Sequence, residues 1–137
     1  MSWQDSSTEL GQGQQSALAG RRILIVEDSP VVGPFTADLL DELGCFAVGP
    51  APNMAAAREL IENEIFDAAL MDIHIRGERV FALCGRLAER GVPFVLTSGY
   101  ADWHVPEEWQ ARPRLQKPYR LEQVEQVLSK LLIPSGT

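Results

Sequence analysis

The sequence predicts a single α/β domain built on a five-stranded parallel sheet. From Arg22 onward, short apolar runs alternate with segments of helical period, which is the pattern of repeated βα units. A chain of 137 residues, 45% hydrophobic and 23% charged, can bury one full core. Four of the apolar runs end beside acidic, hydroxyl or basic residues, as expected where the carboxyl ends of parallel strands form a binding crevice.

The five strands are predicted from apolar runs bounded by turn-forming or charged residues. They span about 22–27, 46–49, 67–72, 93–97 and 114–116. Each of the first four is followed by a segment long enough to carry the chain back across the sheet. Because such crossovers join parallel neighbours, we predict that all five strands run in the same direction.

The first helix is predicted to begin near Ser29-Pro30, because a serine cap followed by a first-turn proline is a common helix start. Its apolar residues recur at helical spacing and are expected to pack on the sheet. The side chains in this stripe are Val32, Phe35, Leu39 and Leu43.

The second and third helices have clear end signals. The second follows Asn53 as a cap, and its inward residues are Met54, Ala57 and 60–61. We predict that 76–78 is the turn into the third helix, which ends before Gly91 in a left-handed cap. The inward residues of the third helix are Val80, Leu83 and Leu87.

The last two helices differ in the strength of their pattern. A fourth helix is expected at about 102–112, where the helical period is weak and Pro106 interrupts it before Pro113 closes the segment. The final helix, 121–132, has apolar residues at 121, 124, 128 and 131 and stops before Pro134.

Domain boundaries follow from composition. Residues 1–20 are rich in Ser, Gln and Gly and lack an apolar period, so we expect a disordered N-terminal arm. The folded domain is predicted over 21–133, with 134–137 as a C-terminal tail. Cys45 and Cys84 lack metal or redox spacing and are expected to be small buried hydrophobes in a reducing compartment.

The charge excludes some classes of partner. A net charge of −7 argues against direct binding to nucleic acid, which depends on clustered Lys and Arg. We find no signal peptide and no apolar run near ~20 residues, so we expect a cytoplasmic protein that does not enter a membrane.

Acidic residues at two predicted strand ends indicate a cation site. Glu27 and Asp28 follow the first strand, and Asp72 ends the third. Three carboxylates in close proximity repel one another unless a cation neutralises them, and Mg²⁺ is the oxygen-seeking ion that suits such ligands. Taken separately, each acid could instead be a helix cap or a turn residue.

The other strand ends suggest chemistry at Asp72. Lys117 follows the fifth strand and would place an ammonium beside the carboxylate, while Thr97 ends the fourth. With Mg²⁺ on one side and Lys117 on the other, Asp72 could attack a phosphoryl donor and form an aspartyl phosphate. The Thr97 hydroxyl could then bond a phosphoryl oxygen and shift the backbone, which would be the output.

These motifs together resemble the receiver domain of response regulators in two-component signalling. The matching segments, spread over about 21–132, are ILIVED at 23–28, AALMD at 68–72, FVLTSGY at 94–100 and LQKP at 115–118. The resemblance implies a flavodoxin-like (βα)5 doubly wound sheet with strand order 2-1-3-4-5 and Mg²⁺ as cofactor. The FVLTSGY segment is also similar to that of the single-domain regulators called the FAT GUY group.

The resemblance assigns roles to individual residues of the metal and acceptor site. Asp72 matches the phosphoacceptor, and Asp28 matches the direct metal ligand. Glu27 matches the acid that holds Mg²⁺ through water, and the backbone carbonyl of His74 would be a further ligand.

It also assigns the switch residues. Thr97 matches the switch hydroxyl, and Lys117 matches the phosphate-pairing lysine, with an expected cis peptide to Pro118. The family's switch aromatic is replaced here by Arg114, and we predict that Tyr100 supplies the missing ring.

By resemblance, the protein is expected to be a single-domain regulator and not an enzyme beyond its own phosphorylation and dephosphorylation. Its partners would be a sensor histidine kinase or histidine phosphotransfer protein and a downstream protein, with the chain monomeric or dimeric on phosphorylation. Alternatives are a phosphate shuttle or sink for a kinase, a pseudo-receiver that acts without phosphorylation, and an aspartate-nucleophile phosphatase. The phosphatase class resembles a D-x-D pattern, and His74 stands where its second aspartate would be.

Overall fold

A central parallel sheet organises the chain in the computed structural model, which describes residues 17–99 and 104–133. Its strand order, β2-β1-β3-β4-β5, confirms the predicted 2-1-3-4-5 arrangement and the flavodoxin-like fold. The strands are β1 (Arg22–Val26), β2 (Phe46–Ala51), β3 (Ala68–Asp72), β4 (Phe94–Ser98) and β5 (Arg114–Gln116).

Helices cover both faces of this sheet. The α-helices in the described residues with assigned bounds are α1 (Val32–Glu42), α2 (Met54–Asn63), α3 (Phe81–Glu89) and α4 (Leu121–Leu132). Alternate residues of β1 point to opposite faces, so Leu24 joins a core with α2 and α3 while Ile25 joins a core with α1 and α4. Both faces of the central strands are therefore apolar, and the strands read as nearly continuous hydrophobic runs.

Strand register places the polar strand ends together. Asp72 at the end of β3 lies directly opposite Thr97 on β4, and Val26 at the end of β1 lies opposite Met71. Because the strands are parallel and in register, the residues that follow β1, β3, β4 and β5 emerge at one edge of the sheet.

The start of α1 lies close to the predicted one, whereas the prediction for one residue of its stripe was wrong. The helix begins at Val32, and the Ser29 hydroxyl accepts hydrogen bonds from the backbone of Val32 (3.0 Å) and the residue before it. Phe35, expected on the buried stripe, is 45% exposed. The buried residues of α1 are Gly33, Thr36, Leu39 and Leu40.

Close packing explains the change of face in α1. A Cβ at Gly33 would lie 3.1 Å from the Pro50 ring, so the small residue allows the helix to approach β2. The Thr36 hydroxyl lies 2.6 Å from the Tyr119 hydroxyl in a buried hydrogen bond. Hydrophobic periodicity does not register such contacts of small and polar residues.

The other predicted helix ends are confirmed. The Asn53 side chain accepts a hydrogen bond from the backbone of Ala56 at 2.8 Å and caps α2. Val80, Leu83 and Leu87 are buried, and Gly91 has φ +71° after α3. The last helix has the predicted bounds.

The expected fourth helix at 102–112 is wrong over the part of it that is described. Residues 104–113 contain only a 3-10 turn, Glu107–Trp109. The Trp109 ring packs edge-on against Phe94 with centroids 5.7 Å apart, and the Arg112 guanidinium lies 4.4 Å from the Phe94 ring centroid. The segment is held by these aromatic and cation–π contacts between two prolines that disfavour a longer helix.

The folded part of the chain begins before the predicted boundary at residue 21. Leu18, assigned to the arm, is 1% exposed and belongs to the core that α1 and α4 cover. Its carbonyl accepts a hydrogen bond from the Cys45 thiol at 3.4 Å, and Gly20 N–H donates to the Gly44 carbonyl at 2.8 Å. The predictions for 1–16 and 134–137 lie outside the described residues.

The segment expected to be a turn into α3 is instead a hairpin, which we call the 74–79 hairpin. Its strands are His74–Ile75 and Glu78–Arg79, which pair antiparallel. Arg76 (φ +51°) and Gly77 (φ +80°) form its two-residue turn, and positive φ at both positions is typical of a type I′ turn.

Candidate functional site

Three carboxylates meet at the carboxyl edge of the sheet. Ligand oxygens of Glu27, Asp28 and Asp72 all lie within 4.8 Å of one another, and this is the one such group of possible metal ligands in residues 17–99 and 104–133. Glu27 is 3% exposed and Asp72 is 5% exposed. The sequence prediction that these acids converge is therefore confirmed.

Lys117 supplies the cation at this cluster. Its ammonium lies 2.9 Å from Asp72 Oδ2 and 3.2 Å from Glu27 Oε1. The backbone N–H of Lys117 donates to the Ser98 carbonyl at 2.8 Å, and the peptide to Pro118 is cis as predicted. The loop after β5 is thereby tied to β4, which directs the lysine into the site.

Burial and the neighbouring acid disfavour the ionised form of Glu27. Burial, and then the Asp72 carboxylate, raise the pKa of Glu27 from 4.5 to about 6, although Lys117 acts in the opposite direction. Burial tends to lower the pKa of Lys117, but its hydrogen bonds and charge interactions with Asp72 and Glu27 outweigh burial and raise that pKa. A carboxyl whose ionised form is disfavoured gains from a further cation.

The donor set fits Mg²⁺. All three side chains offer carboxylate oxygens, which are the ligands that this ion prefers, and the cluster leaves room for the waters that Mg²⁺ keeps. Backbone groups orient two of the acids: Asp28 Oδ2 accepts from the Arg76 N–H at 2.8 Å, and Asp72 Oδ1 accepts from the His74 N–H at 3.2 Å. The 74–79 hairpin therefore helps to orient two of the candidate metal ligands.

The cluster opens into a cavity of about 800 Å³. Besides the acids and Lys117, its wall includes Arg79 and His104, and two glycines, Gly77 and Gly99, contribute no side chain. Asp72 therefore lies in the wall of a cavity large enough for a small molecule.

Of the other predicted site residues, the structure brings some to the acids and not others. Thr97 is 2% exposed and lies directly opposite Asp72 on the neighbouring strand, as predicted. His74 lines the cavity, and the role of its carbonyl stays a prediction. Arg114 is exposed, donates to the Gln110 carbonyl at 3.1 Å and lines a different cleft, so it is not brought to the acids. Tyr100 lies outside the described residues.

Sequence reasoning missed several contacts at the site. Ser29 N–H donates to Glu27 Oε2 at 3.1 Å, a contact that the local acid-x-Ser order could have suggested. No sequence signal pointed to Arg79 and His104, because the hairpin and the irregular segment 104–113 were not predicted. Tyr119, which follows Lys117 by two residues, is hydrogen-bonded to Thr36 and buried in the core that α1 and α4 cover.

None of the described helices has both the length and the apolar character needed to span a bilayer.

Comparison with known proteins gives one consistent result. Residues 23–129 match the family described as response regulator receiver domain. The solution structure of SdrG from Sphingomonas melonis Fr1 is 36% identical, covering 85% of this chain and 98% of that one, with a TM-score of 0.74. No curated protein matches the chain.

Two further solved structures share the architecture. The receiver domain of PhyR from Erythrobacter litoralis is 25% identical, with 88% of this chain and 97% of that chain covered and a TM-score of 0.70. TrrA from Thermotoga maritima, solved in complex with Mg²⁺ and BeF, is 21% identical, with coverage of 82% and 99% and a TM-score of 0.73. At that identity, TrrA supports the fold alone.

Proposed function

The chain belongs to the response regulator receiver domain family, and from that premise we propose that it accepts a phosphoryl group on Asp72 with Mg²⁺ and thereby changes its binding to a partner protein. The observation that carries the proposal is the buried contact of Lys117 with Asp72 and Glu27, beside Asp28 and under an open cavity. SdrG, the 36% identical relative, has also been solved in a BeF3-activated conformation.

The side chains divide the chemistry between them. Asp72 attacks the phosphorus through a carboxylate oxygen, forming a P–O bond as the donor's P–N or P–O bond breaks and its electron pair leaves with the donor. Lys117 stabilises the negative charge on the transferred group, and the hairpin N–H groups hold Asp28 and Asp72 in place. When bound by Glu27, Asp28 and Asp72, Mg²⁺ would neutralise charge on the acids and on the phosphoryl oxygens.

The output of this reaction is proposed to start at Thr97. Thr97 lies opposite Asp72 in the sheet register, so its hydroxyl would be available to a phosphoryl oxygen added to Asp72. A new hydrogen bond there would favour one backbone arrangement after β4 over another, which is how a local charge becomes a change of surface.

A surface beside the site suits a protein donor. Val31 is 73% exposed and Phe35 is 45% exposed, and Phe35 lines an apolar cleft of about 300 Å³ together with Lys117 and Pro118. Lys117 therefore contributes to both this cleft and the acceptor cavity. We expect Phe35→Ser to slow phosphoryl transfer from a phosphorylated histidine kinase or phosphotransfer protein about tenfold, with labelling by acetyl phosphate unchanged. Equal rates with the protein donor would contradict this assignment.

Acetyl phosphate labelling followed by intact mass measurement tests the proposed function. With Mg²⁺, the wild type should gain one phosphoryl group, and Asp72→Asn or EDTA should prevent it. Asp38→Asn, which removes an exposed carboxylate on α1, is the matched control and should label normally. Steady release of inorganic phosphate from many phosphate monoesters, without a lasting label, would favour the phosphatase alternative.

The proposal describes a signalling protein that promotes only its own phosphorylation and dephosphorylation. It places the protein in the cytoplasm, because the histidine kinases that would supply the phosphoryl group draw on cytoplasmic ATP. A phosphate shuttle or sink uses the same site, and the rate of transfer back to a histidine protein would distinguish it from a regulator that passes the signal to a downstream protein.

A further inference from the structure

Arg79 is the cavity residue whose role the receiver chemistry leaves unexplained. It ends the 74–79 hairpin and is exposed, and it lines the cavity that holds the three acids and Lys117. The hairpin beneath it is firmly anchored, because Ile73, Ile75 and Val80 are fully buried and Val80 N–H donates to the Ile73 carbonyl at 2.8 Å. The backbone position of Arg79 is therefore well fixed relative to Asp72.

Two contacts hold the guanidinium at the rim. One of its nitrogens donates to the His104 carbonyl at 3.4 Å, and its central carbon lies 5.8 Å from the Phe81 ring centroid. A guanidinium has five N–H donors in a planar fork that suits phosphate oxygens. Among the described residues, only one of these donors has a protein acceptor, so the others can serve a ligand in the cavity.

Charge balance shows why such a group would be needed. Glu27, Asp28 and Asp72 contribute three negative charges when ionised, while Lys117 contributes one positive charge through its direct contacts with two of them. A bound Mg²⁺ would bring the sum to zero. A phosphodonor with two negative charges would then enter a site with no surplus cation, except for Arg79 at the entrance.

We propose that Arg79 binds the phosphoryl oxygens of the incoming donor and so sets the preference of the site for dianionic phosphoryl groups. This assignment rests on the proposed function, since it names the group that captures the donor before Asp72 attacks. In this assignment Arg79 binds the donor, and Asp72 remains the nucleophile.

The proposal predicts effects of opposite sign on two ligands. Removing a positive charge near the cavity should weaken binding of a dianion, yet it should leave Mg²⁺ binding unchanged or make it tighter, because like charges repel. A merely structural role for Arg79 would loosen the hairpin that orients Asp28 and Asp72, and would weaken both ligands together.

The experiment compares wild type, Arg79→Ala, Arg79→Lys and the matched control Arg58→Ala, which removes an exposed arginine on α2. Labelling rates are measured against acetyl phosphate concentration at saturating Mg²⁺, and Mg²⁺ affinity is measured by titration calorimetry. For Arg79→Ala we expect the half-saturating donor concentration to rise about fivefold, with the maximal rate within about twofold and Mg²⁺ affinity not reduced. The half-saturating donor concentration of Arg79→Lys should be intermediate, since lysine keeps the positive charge but lacks the planar set of N–H donors.

Two results for Arg79→Ala would overturn the assignment. One is a half-saturating donor concentration equal to that of Arg58→Ala, and the other is a parallel loss of Mg²⁺ and donor affinity.

A second measurement separates this inference from the proposed function. Methylphosphonate, which cannot transfer its phosphoryl group, is titrated into the Mg²⁺-loaded proteins and followed by amide NMR shifts. If the wild type is not labelled by acetyl phosphate but binds methylphosphonate more tightly than Arg79→Ala does, the proposed function fails and Arg79 remains an anion-binding residue. If methylphosphonate binds both proteins equally, or neither, the inference about Arg79 is wrong whatever the labelling shows.

Discussion

Glu27 shows how much chemistry a single buried residue can contribute here. It receives hydrogen bonds from the Ser29 N–H and the Lys117 ammonium, yet burial and Asp72 still raise its pKa to about 6. The sequence predicted that Glu27, Asp28, Asp72, Thr97 and Lys117 would meet, because each stands at the end of a parallel strand. It could not predict this pKa, which depends on the depth of burial and on distances between groups far apart in the chain.

The raised pKa of Glu27 predicts a specific pH dependence of stability in the metal-free protein. The protonated form is favoured by folding, so this contribution is fully present below the ordinary pKa of 4.5 and is lost as the pH rises through about 6. The shift corresponds to about 2 kcal/mol in the free energy of unfolding. In EDTA, we therefore expect Glu27→Gln to be more stable than wild type at pH 7, with the difference shrinking towards pH 4.5.

Urea denaturation at a series of pH values measures this difference, and comparison with Glu27→Gln cancels the titration of other groups. Saturating Mg²⁺ should reduce the advantage of the variant, since the ion binds the ionised carboxylate. A pH-independent difference between the two proteins would contradict the account of Glu27.

At the scale of elements, the strands and most helix ends were predictable, whereas the short irregular elements were not. Runs such as 68–72 and 94–98 are apolar because both faces are covered, and Asn53 caps α2 through its own side chain. The 74–79 hairpin has only two residues per strand, too few for a period to show. The segment 104–113 is held by contacts of Trp109 and Arg112 with Phe94, more than a dozen residues earlier in the chain.

The turn of the 74–79 hairpin allows a paired test of backbone strain. Gly77 has φ +80° and a Cβ there would touch nothing within 4 Å, so Gly77→Ala should cost about 1 kcal/mol through backbone conformation alone. Gly85 lies inside α3, is exposed and is equally open, so Gly85→Ala should stabilise the protein by about 0.5–1 kcal/mol. Denaturant midpoints of the two variants measure the difference.

The hairpin variant should also bind Mg²⁺ more weakly, because Arg76 N–H orients Asp28. Destabilisation of similar size by both substitutions would contradict the strain assigned to Gly77. Unchanged Mg²⁺ affinity in Gly77→Ala would show that the hairpin does not orient the metal-binding acids.

At the scale of the whole molecule, the arrangement of layers explains why the site could be anticipated. The parallel order β2-β1-β3-β4-β5 directs the ends of the strands to one edge, and two apolar cores hold α1 and α4 on one face and α2 and α3 on the other. The exposed face of α1 could not be inferred from periodicity, because Gly33 and Thr36 take the buried positions and leave Phe35 outside. That difference changes where a partner is expected to bind.

The most direct test of the central claim is to locate the phosphoryl group in the chain. The protein is labelled with acetyl phosphate and Mg²⁺, reduced with borohydride, which converts an aspartyl phosphate to homoserine, and mapped by peptide mass spectrometry. The account predicts homoserine at position 72, in amounts that follow the labelled fraction, and none in an EDTA control. Homoserine at another aspartate, or a label that resists reduction and resides on a hydroxyl side chain, would contradict it.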